Sequence, residues 1–350
     1  MAAPELRSDR NRLTPEAALQ NGRWVKLICG AGNQDLAAIE DLCALYTAAG
    51  IHCIDIAADT GVAEAARRGM DWAVARGAQR PWLMVSLSDG ADPHFRKASF
   101  DPSRCPTDCP RPCQKVCPAL AIGDHGGVQA ERCYGCGRCL PACPLGLIDE
   151  QQQWLSAEAV PELLRSINPD AVELHTQAGR QSAFEARLSQ LKASGVRLQR
   201  LAISCGLERG AGSQETTPLS SRELARELWQ RFGALRQAGY RPLWQLDGRP
   251  MSGDVGVGTA RSAVKLLEAI APWAPPGPLQ LAGGTNGKTI ELLGPSHRAA
   301  GVAFGGMARS LLQPWLQEAD ERGQPLRDIP ELEAIASTRV IGLIQPWLER

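Results

Sequence analysis

The stretch WVKLICGAGNQDLAAIEDLCALYTAAG, residues 24–50, contains two periodicities in succession. WVKLICGA is a continuous apolar run closed by glycine, the signature of a strand buried on both faces. QDLAAIEDLCALYTAA then repeats apolar residues at helical spacing and stops on Gly50. Strand followed by helix is therefore the local unit, and it recurs. IHCIDIAA (51–58) leads to DTGVAEAARRGMDWAVARG (59–77), and PWLMVSLSDG (81–90) is a third strand.

The alternation breaks at residues 100–148, a segment rich in Cys, Pro and Gly with little helical periodicity. It resumes with a helix near 157–166 and continues through strands DAVELHTQ (170–177), RLQRLAISCG (197–206), RPLWQLDG (241–248), GPLQLAGG (277–284) and GVAFGG (301–306). Each is followed by a helical stretch. Eight βα units in ~300 residues is the count of a TIM-like (β/α)8 barrel, whose parallel strands read as apolar runs because both faces are covered. A doubly wound open sheet accommodates the same alternation. The expected organisation is a polar N-terminal tail (1–20), a first part of the barrel with strands 1–3 (21–99), an insertion (100–148), and the remainder of the barrel with C-terminal helices (149–350). Loops that follow barrel strands form the functional face, so an insertion after strand 3 belongs beside any active site.

The chain has 350 residues, with 38 Lys and Arg balanced by 38 Asp and Glu. Zero net charge supplies no electrostatic footprint for phosphate neutralisation and argues against nucleic acid as a partner. No run approaches the ~18 apolar residues of a membrane span, and the first twenty residues lack the apolar core of a signal peptide. The reading is a cytoplasmic protein. In a reducing compartment clustered thiols point to metal ligation or redox chemistry rather than to disulfides.

Eight of the twelve cysteines lie in the insertion. Cys29, Cys43, Cys53 and Cys205 sit singly in apolar segments, where a thiol packs as a small hydrophobe. Within the insertion, Cys133-x2-Cys136-x2-Cys139-x3-Cys143-Pro144 has the spacing of a bacterial ferredoxin run, in which three thiolates hold one cluster and the fourth crosses to its neighbour. Zinc competes for any C-x-x-C pair, but structural zinc usually joins two separated knuckles. The upstream half, Cys105-x3-Cys109-x3-Cys113-x3-Cys117-Pro118, is looser, yet VCPALAI and ACPLGLI rhyme as the tails of a two-fold repeat.

The crossed rule groups Cys117, Cys133, Cys136 and Cys139 around one [4Fe-4S] cluster and Cys105, Cys109, Cys113 and Cys143 around a second. The widened spacing leaves that second cluster open between [4Fe-4S] and [3Fe-4S]. Gly135 and Gly137 let the backbone wrap closely, and Tyr134 is placed to shield the cluster.

Beyond the insertion, LAGGTNGKT (281–289) has Ala282 where a P-loop carries its first glycine, which argues against nucleotide hydrolysis. On a barrel, however, Gly283, Gly284, Thr285 and Asn286 follow strand 7, and Gly305, Gly306 and Arg309 follow strand 8. Those loops form the usual phosphate site. A phosphate-containing ligand is the expectation for them, with simple tight turns as the alternative. Asn33, Asp59, Asp89, His175 and Asp247 also fall at strand ends, where such residues commonly cap helices. His94, Arg96 and Lys97 precede the first cysteines, in a docking surface or a solvated linker.

The stretches GRWVKLICGAGNQDLAAIEDLCALYTAAGIHCIDIAAD, LMVSLSDGADPHFRKASFDPSRCP, CPRPC, ERCYGCGRCLPACP and AGGTNGKT closely resemble the cyanobacterial light-dependent period (LdpA) family, from Gly22 onward. The resemblance implies an iron-sulfur protein that conveys redox state, and so light intensity, to the circadian clock and modulates its period alongside clock-associated proteins. It supplies no catalytic residue, so the expectation is a redox-sensing regulator rather than an enzyme. An oxidoreductase passing electrons to a phosphorylated ligand such as a flavin is the alternative, and a redox partner is expected in either case.

Overall fold

Trp24–Gly30 forms strand β1, and Asp35 then accepts a hydrogen bond from the Ala38 N–H to start helix α2 (Leu36–Ala49), after the short helix α1 (Pro15–Gln20). Gly50 ends α2 with φ +99°, a left-handed cap that costs a residue without Cβ little. Asp59 caps α3 (Thr60–Val74) in the same way after β2 (Cys53–Ala57), and β3 (Trp82–Ser88) follows. The computed structural model describes residues 13–123, 127–153, 155–209, 217–249, 251, 254, 256–294 and 299–350.

After β3 the chain leaves the barrel. Strands β4 (Arg96–Ser99) and β5 (Asp149–Gln152) pair antiparallel, Arg96 opposite Gln152 and Ser99 opposite Asp149. They form a neck just outside 100–148, with the short helices α4 (Pro112–Lys115) and α5 (Cys139–Ala142) beyond it. The barrel then resumes: α6 (Ala159–Ile167), β6 (Ala171–His175), α7 (Gln181–Ser194), β7 (Arg200–Cys205), α8 (Ser221–Ala238), β8 (Pro242–Asp247), α9 (Ala260–Ile270), β9 (Leu279–Ala282), α10 (Thr289–Leu292), β10 (Ala299–Phe304), α11 (Gly306–Glu321) and α12 (Pro330–Leu348).

The eight parallel strands close in the order β1-β10-β9-β8-β7-β6-β3-β2, each beside its neighbour in the chain apart from the excursion between β3 and β6. This is a (β/α)8 barrel with its insertion after the third barrel strand, as the alternation predicts; the open-sheet alternative does not form. Both faces of the strands are buried because helices cover the outside and side chains fill the inside. No described helix is long and apolar enough to cross a membrane.

Two features depart from the expected organisation. Residues 15–20 form a helix rather than part of a tail. Ala18 and Leu19 are buried against Trp24 and Leu243 at the N-terminal end of the barrel, and Glu16 pairs with Arg200 and Arg241. Alternating polar and apolar residues over so short a span give little helical signal, but tertiary burial supplies the stability. The other is the barrel interior. Lys26 (β1), Asp55 (β2), Glu173 (β6), Gln245 (β8) and Gln280 (β9) all point inward and are fully buried.

These side chains form one chain of contacts. Trp24 Nε1 donates to Gln280 Oε1 (2.6 Å), Gln280 to Gln245 (2.6 Å), and Gln245 to Glu173 (2.7 Å). Lys26 Nζ bridges Glu173 and Asp55 (3.0 Å to the latter), and Ser86 Oγ donates to Asp55 (2.8 Å). Buried charges require such partners, because an unpaired ion in a low-dielectric interior is prohibitively costly.

Candidate functional site

The eight insertion cysteines fall into two groups of four. Cys139 lies within electrostatic reach of Cys117, Cys133 and Cys136, and these four line one cavity with Tyr134, Gly135 and Gly137. Burial and then the neighbouring sulfurs push the Cys139 thiol up to about 12. Four such thiols ionise together only around a cationic core. The Ala98 N–H points at Cys133 Sγ (3.4 Å) and the Ala121 N–H at Cys117 Sγ (3.3 Å), the kind of amide contact that stabilises cluster-bound sulfur.

Cys113 faces Cys109 and Cys143, and Cys105 faces Cys109 and Cys113. Backbone N–H groups, chiefly that of Leu147 (3.4 Å), draw the Cys143 thiol pKa down. This second group is more open: Cys113 is buried, while Cys105, Cys109 and Cys143 are half-buried. None of the eight is paired in a disulfide, and among the described residues no trio of cysteines stands close enough for a single ion to bridge. That wider separation suits a polynuclear cluster, whose ligands attach to different irons, better than one tetrahedral zinc.

The insertion is fastened to the barrel. Gly135, at φ +76°, lies so close to the neck that a Cβ there would stand 2.3 Å from the Arg96 carbonyl and 2.9 Å from that of Pro93. Lys97, expected in a docking surface or solvated linker, is buried and donates to Gln34 and to the Ala130 carbonyl, both at 2.6 Å. Arg96 pairs with Glu150 across the neck, and Arg132 reaches Asp320 of α11 at 2.8 Å. Residues 92–99 are thus a folded joint.

Beside that joint opens the barrel mouth. Its cavity is lined by Gly283, Gly284, Thr285, Gly305, Gly306 and Arg309, by Tyr134, and by His94, Glu173, His175 and Asp247. Asn286 is not in the lining. Its side chain donates to the Gly256 carbonyl (2.9 Å) and accepts from the Lys288 N–H, and Thr285 donates to the Ala303 carbonyl, so both brace the loops. Arg309 donates to the Ile28 carbonyl (2.9 Å) and lies over the Tyr134 ring.

Of the strand-end residues, His175 and Asp247 face the cavity. Asn33 instead donates to the Cys29 carbonyl, Asp59 caps α3, and Asp89 accepts from Thr176 and Arg180.

The mouth is electrostatically unusual. Burial works against the His175 imidazolium, but Glu173, 3.0 Å from its Nε2, together with Asp92 and Asp247 raises its pKa to about 9. Burial raises Asp247 to about 6. Asp55 rises to about 7 through burial, with Lys26 opposing and Glu173 reinforcing the shift. For Asp92 burial is outweighed by the His94 ring and backbone N–H and by His175, which hold its carboxyl well below the usual range. Lys26, Asp55, Asp92 and Glu173 were not singled out from sequence; for the first, second and fourth a charged residue inside an otherwise apolar strand (WVKLI, CIDIA, AVELH) is the available signal, whereas Asp92 lies in a polar turn that offers none.

Barrel and paired thiol sets together define the class: a (β/α)8-barrel protein with an iron-sulfur insertion in its third βα loop. Residues 105–154 match the LdpA Fe-S cluster-binding domain, and residues 163–346 match the Light dependent period A C-terminal domain. The chain is 46% identical over 342 residues to Light dependent period A of Synechococcus elongatus, covering 95% of this chain and 93% of that relative. The protein belongs to the Light dependent period A family. Solved structures similar in fold include one assigned as a fructose-1,6-biphosphate aldolase from Coccidioides immitis (12% identity, 98% of this chain and 97% of the other, TM-score 0.46) and a fructose-bisphosphate aldolase from Plasmodium falciparum (12%, 98% of each, TM-score 0.42).

Proposed function

We propose that the protein is a redox-sensing regulator carrying two iron-sulfur clusters, whose state is read by clock-associated proteins to adjust the circadian period to light. The observation that carries this reading is the asymmetry of the two thiol groups. One buries Cys133 and Cys139 and leaves Cys117 and Cys136 half-buried; the other buries Cys113 alone and leaves Cys105, Cys109 and Cys143 half-buried. An exposed cluster exchanges electrons and loses iron more readily, so the open group, [4Fe-4S] or [3Fe-4S], is the responsive one. The name of the Synechococcus relative supports the light-dependent period role.

A sensor must present two states with different partner affinity. The test measures binding of anaerobically purified full-length protein to the clock-protein complex in reduced, oxidised and cluster-stripped form. The expected result is a change of several-fold between states, and equal affinity in all three overturns the proposal.

Tyr134 favours a second reading, because it lines both the enclosed cluster cavity and the barrel mouth. Cys117, Cys133, Cys136 and Cys139 would hold the cluster on one side of Tyr134, and on the other the loops at Gly283, Gly284, Gly305 and Gly306 would take the phosphate of a cofactor such as a flavin, which would accept its electrons. Flavin absorbance that co-purifies with the protein supports this oxidoreductase reading. Its absence, together with failure of added flavin to bind, removes it.

A further inference from the structure

We propose that Asp92, His94 and His175 form a binding site for one divalent transition-metal ion at the barrel mouth, separate from the cysteine-held clusters and independent of both functional readings above. One ligand atom from each lies within 4.8 Å of the others. His94 Nδ1 is 2.7 Å and His175 Nδ1 3.9 Å from the same Asp92 oxygen, and the two imidazole rings stand 4.8 Å apart. An ion ~2.0–2.1 Å from each donor needs donor separations of roughly 3–3.5 Å, a range that the 2.7 and 3.9 Å distances to Asp92 bracket.

The arrangement is not explained by hydrogen bonding alone. Asp92 Oδ1 already accepts from the His94 backbone N–H (2.9 Å) and faces the His94 ring. At 3.9 Å, His175 Nδ1 is beyond hydrogen-bond reach of that oxygen and faces it across a gap. The other His175 nitrogen is fixed: Nε2 stands 3.0 Å from Glu173 Oε1, a fully buried carboxylate. With Nε2–H held by that carboxylate, a metal that displaces the Nδ1 proton meets the Nδ1 lone pair; a carboxylate behind an imidazole is the usual outer-shell device of histidine sites. Glu173 is therefore a positioning residue, itself held by Lys26 and Gln245.

Two imidazoles and one carboxylate select a borderline ion such as zinc or ferrous iron over magnesium or calcium, which prefer all-oxygen shells. His94, His175 and Asp247 line the mouth cavity, so coordination positions remain for water or an anionic ligand. Asp247 and Glu208 stand within electrostatic reach of His94 and add negative potential. Asp92 and His94 belong to the turn whose Pro93 carbonyl presses on Gly135 of the cluster loop, while His175 ends β6. A bound ion would clamp the neck of the insertion to the barrel.

The test is anaerobic equilibrium dialysis of the full-length, cluster-loaded protein against zinc, with zinc and iron counted separately and the zinc ligands read by X-ray absorption. The expected result is one zinc per chain with a nitrogen and oxygen shell, iron and sulfide unchanged. Asp92→Asn and the partly exposed His94→Gln, each retaining the cluster absorbance, should weaken zinc on the order of tenfold or more. Three outcomes overturn the proposal: no zinc retained, equal zinc retention by His94→Gln, or a sulfur shell with iron lost as zinc enters.

Discussion

The Arg309 guanidinium carbon lies 4.0 Å from the centroid of the Tyr134 ring. That stack joins the N-terminal turn of α11 to the loop between Cys133 and Cys136, and Tyr134 lines both the cavity of Cys117, Cys133, Cys136 and Cys139 and the barrel mouth. Cation–π contacts of this kind contribute ~0.5–2 kcal/mol, the upper end when desolvated. The more consequential effect is shielding, because the buried ring keeps water and oxidant on the mouth side from the sulfurs.

Removing the shield should shorten the life of that cluster. Tyr134→Ala is expected to accelerate bleaching of the cluster absorbance in air several-fold, whereas Tyr134→Phe, which keeps the ring, should stay close to wild type. Arg309→Ala should fall between them, since the ring remains but loses the cation that holds it. Equal bleaching in all four proteins would show that Tyr134 only fills space.

Crossed ligation makes a prediction that the linear order of cysteines does not. Cys117→Ser, in the upstream half, should remove the cluster held by Cys133, Cys136 and Cys139, while Cys143→Ser, inside the downstream run, should spare it. Iron and sulfide counts with EPR of the reduced proteins distinguish the two. The reverse pattern, the downstream cluster lost in Cys143→Ser and spared in Cys117→Ser, would restore an uncrossed assignment.

The architecture was legible because strands such as Cys53–Ala57 and Trp82–Ser88 are mostly apolar on both faces, and caps such as Asp35 and Gly50 mark where helices start and stop. The cysteine groups were legible too, since cluster geometry dictates short spacings along the chain. What sequence did not disclose is what depends on closure of the barrel. Lys26, Asp55 and Glu173 come from strands 29 and 118 residues apart, and only the ring of parallel strands brings them into contact. His94 reads as part of a polar linker until the neck folds it against His175. Asn286 shows the converse: a residue at the right strand end whose side chain is spent on its own loop.

The interior ion group should be strongly non-additive. Lys26 is fully buried between two carboxylates; burial opposes its charge, but Asp55 and Glu173 outweigh it and raise its pKa. Lys26→Met leaves Asp55 and Glu173 buried with only His175 beside Glu173 as a cation and should cost about 3–5 kcal/mol in denaturant unfolding. Lys26→Met combined with Glu173→Gln should recover a substantial part of that loss, because the uncompensated charge goes with its partner. A double variant equal to the sum of the singles would mean that the two act independently.

His52 sets an acid limit on the barrel. It is buried beside Trp24, its Nδ1 accepts from the Val25 N–H at 3.1 Å, and burial lowers its pKa to about 4. The folded protein therefore keeps this ring neutral while the unfolded chain, with an ordinary histidine pKa of ~6.5, takes up a proton. The unfolded state binds more protons between those values, so stability from this residue is complete above pH ~6.5 and falls as the pH drops toward 4, by up to ~3 kcal/mol. His52→Asn, which retains an acceptor for Val25 but does not titrate, should be less stable than wild type at neutral pH and lose less on acidification. The measurement is the difference in unfolding free energy between the two proteins across that range. Because both carry the same clusters, acid lability of the iron cancels, and a difference independent of pH would show that His52 does not titrate on unfolding.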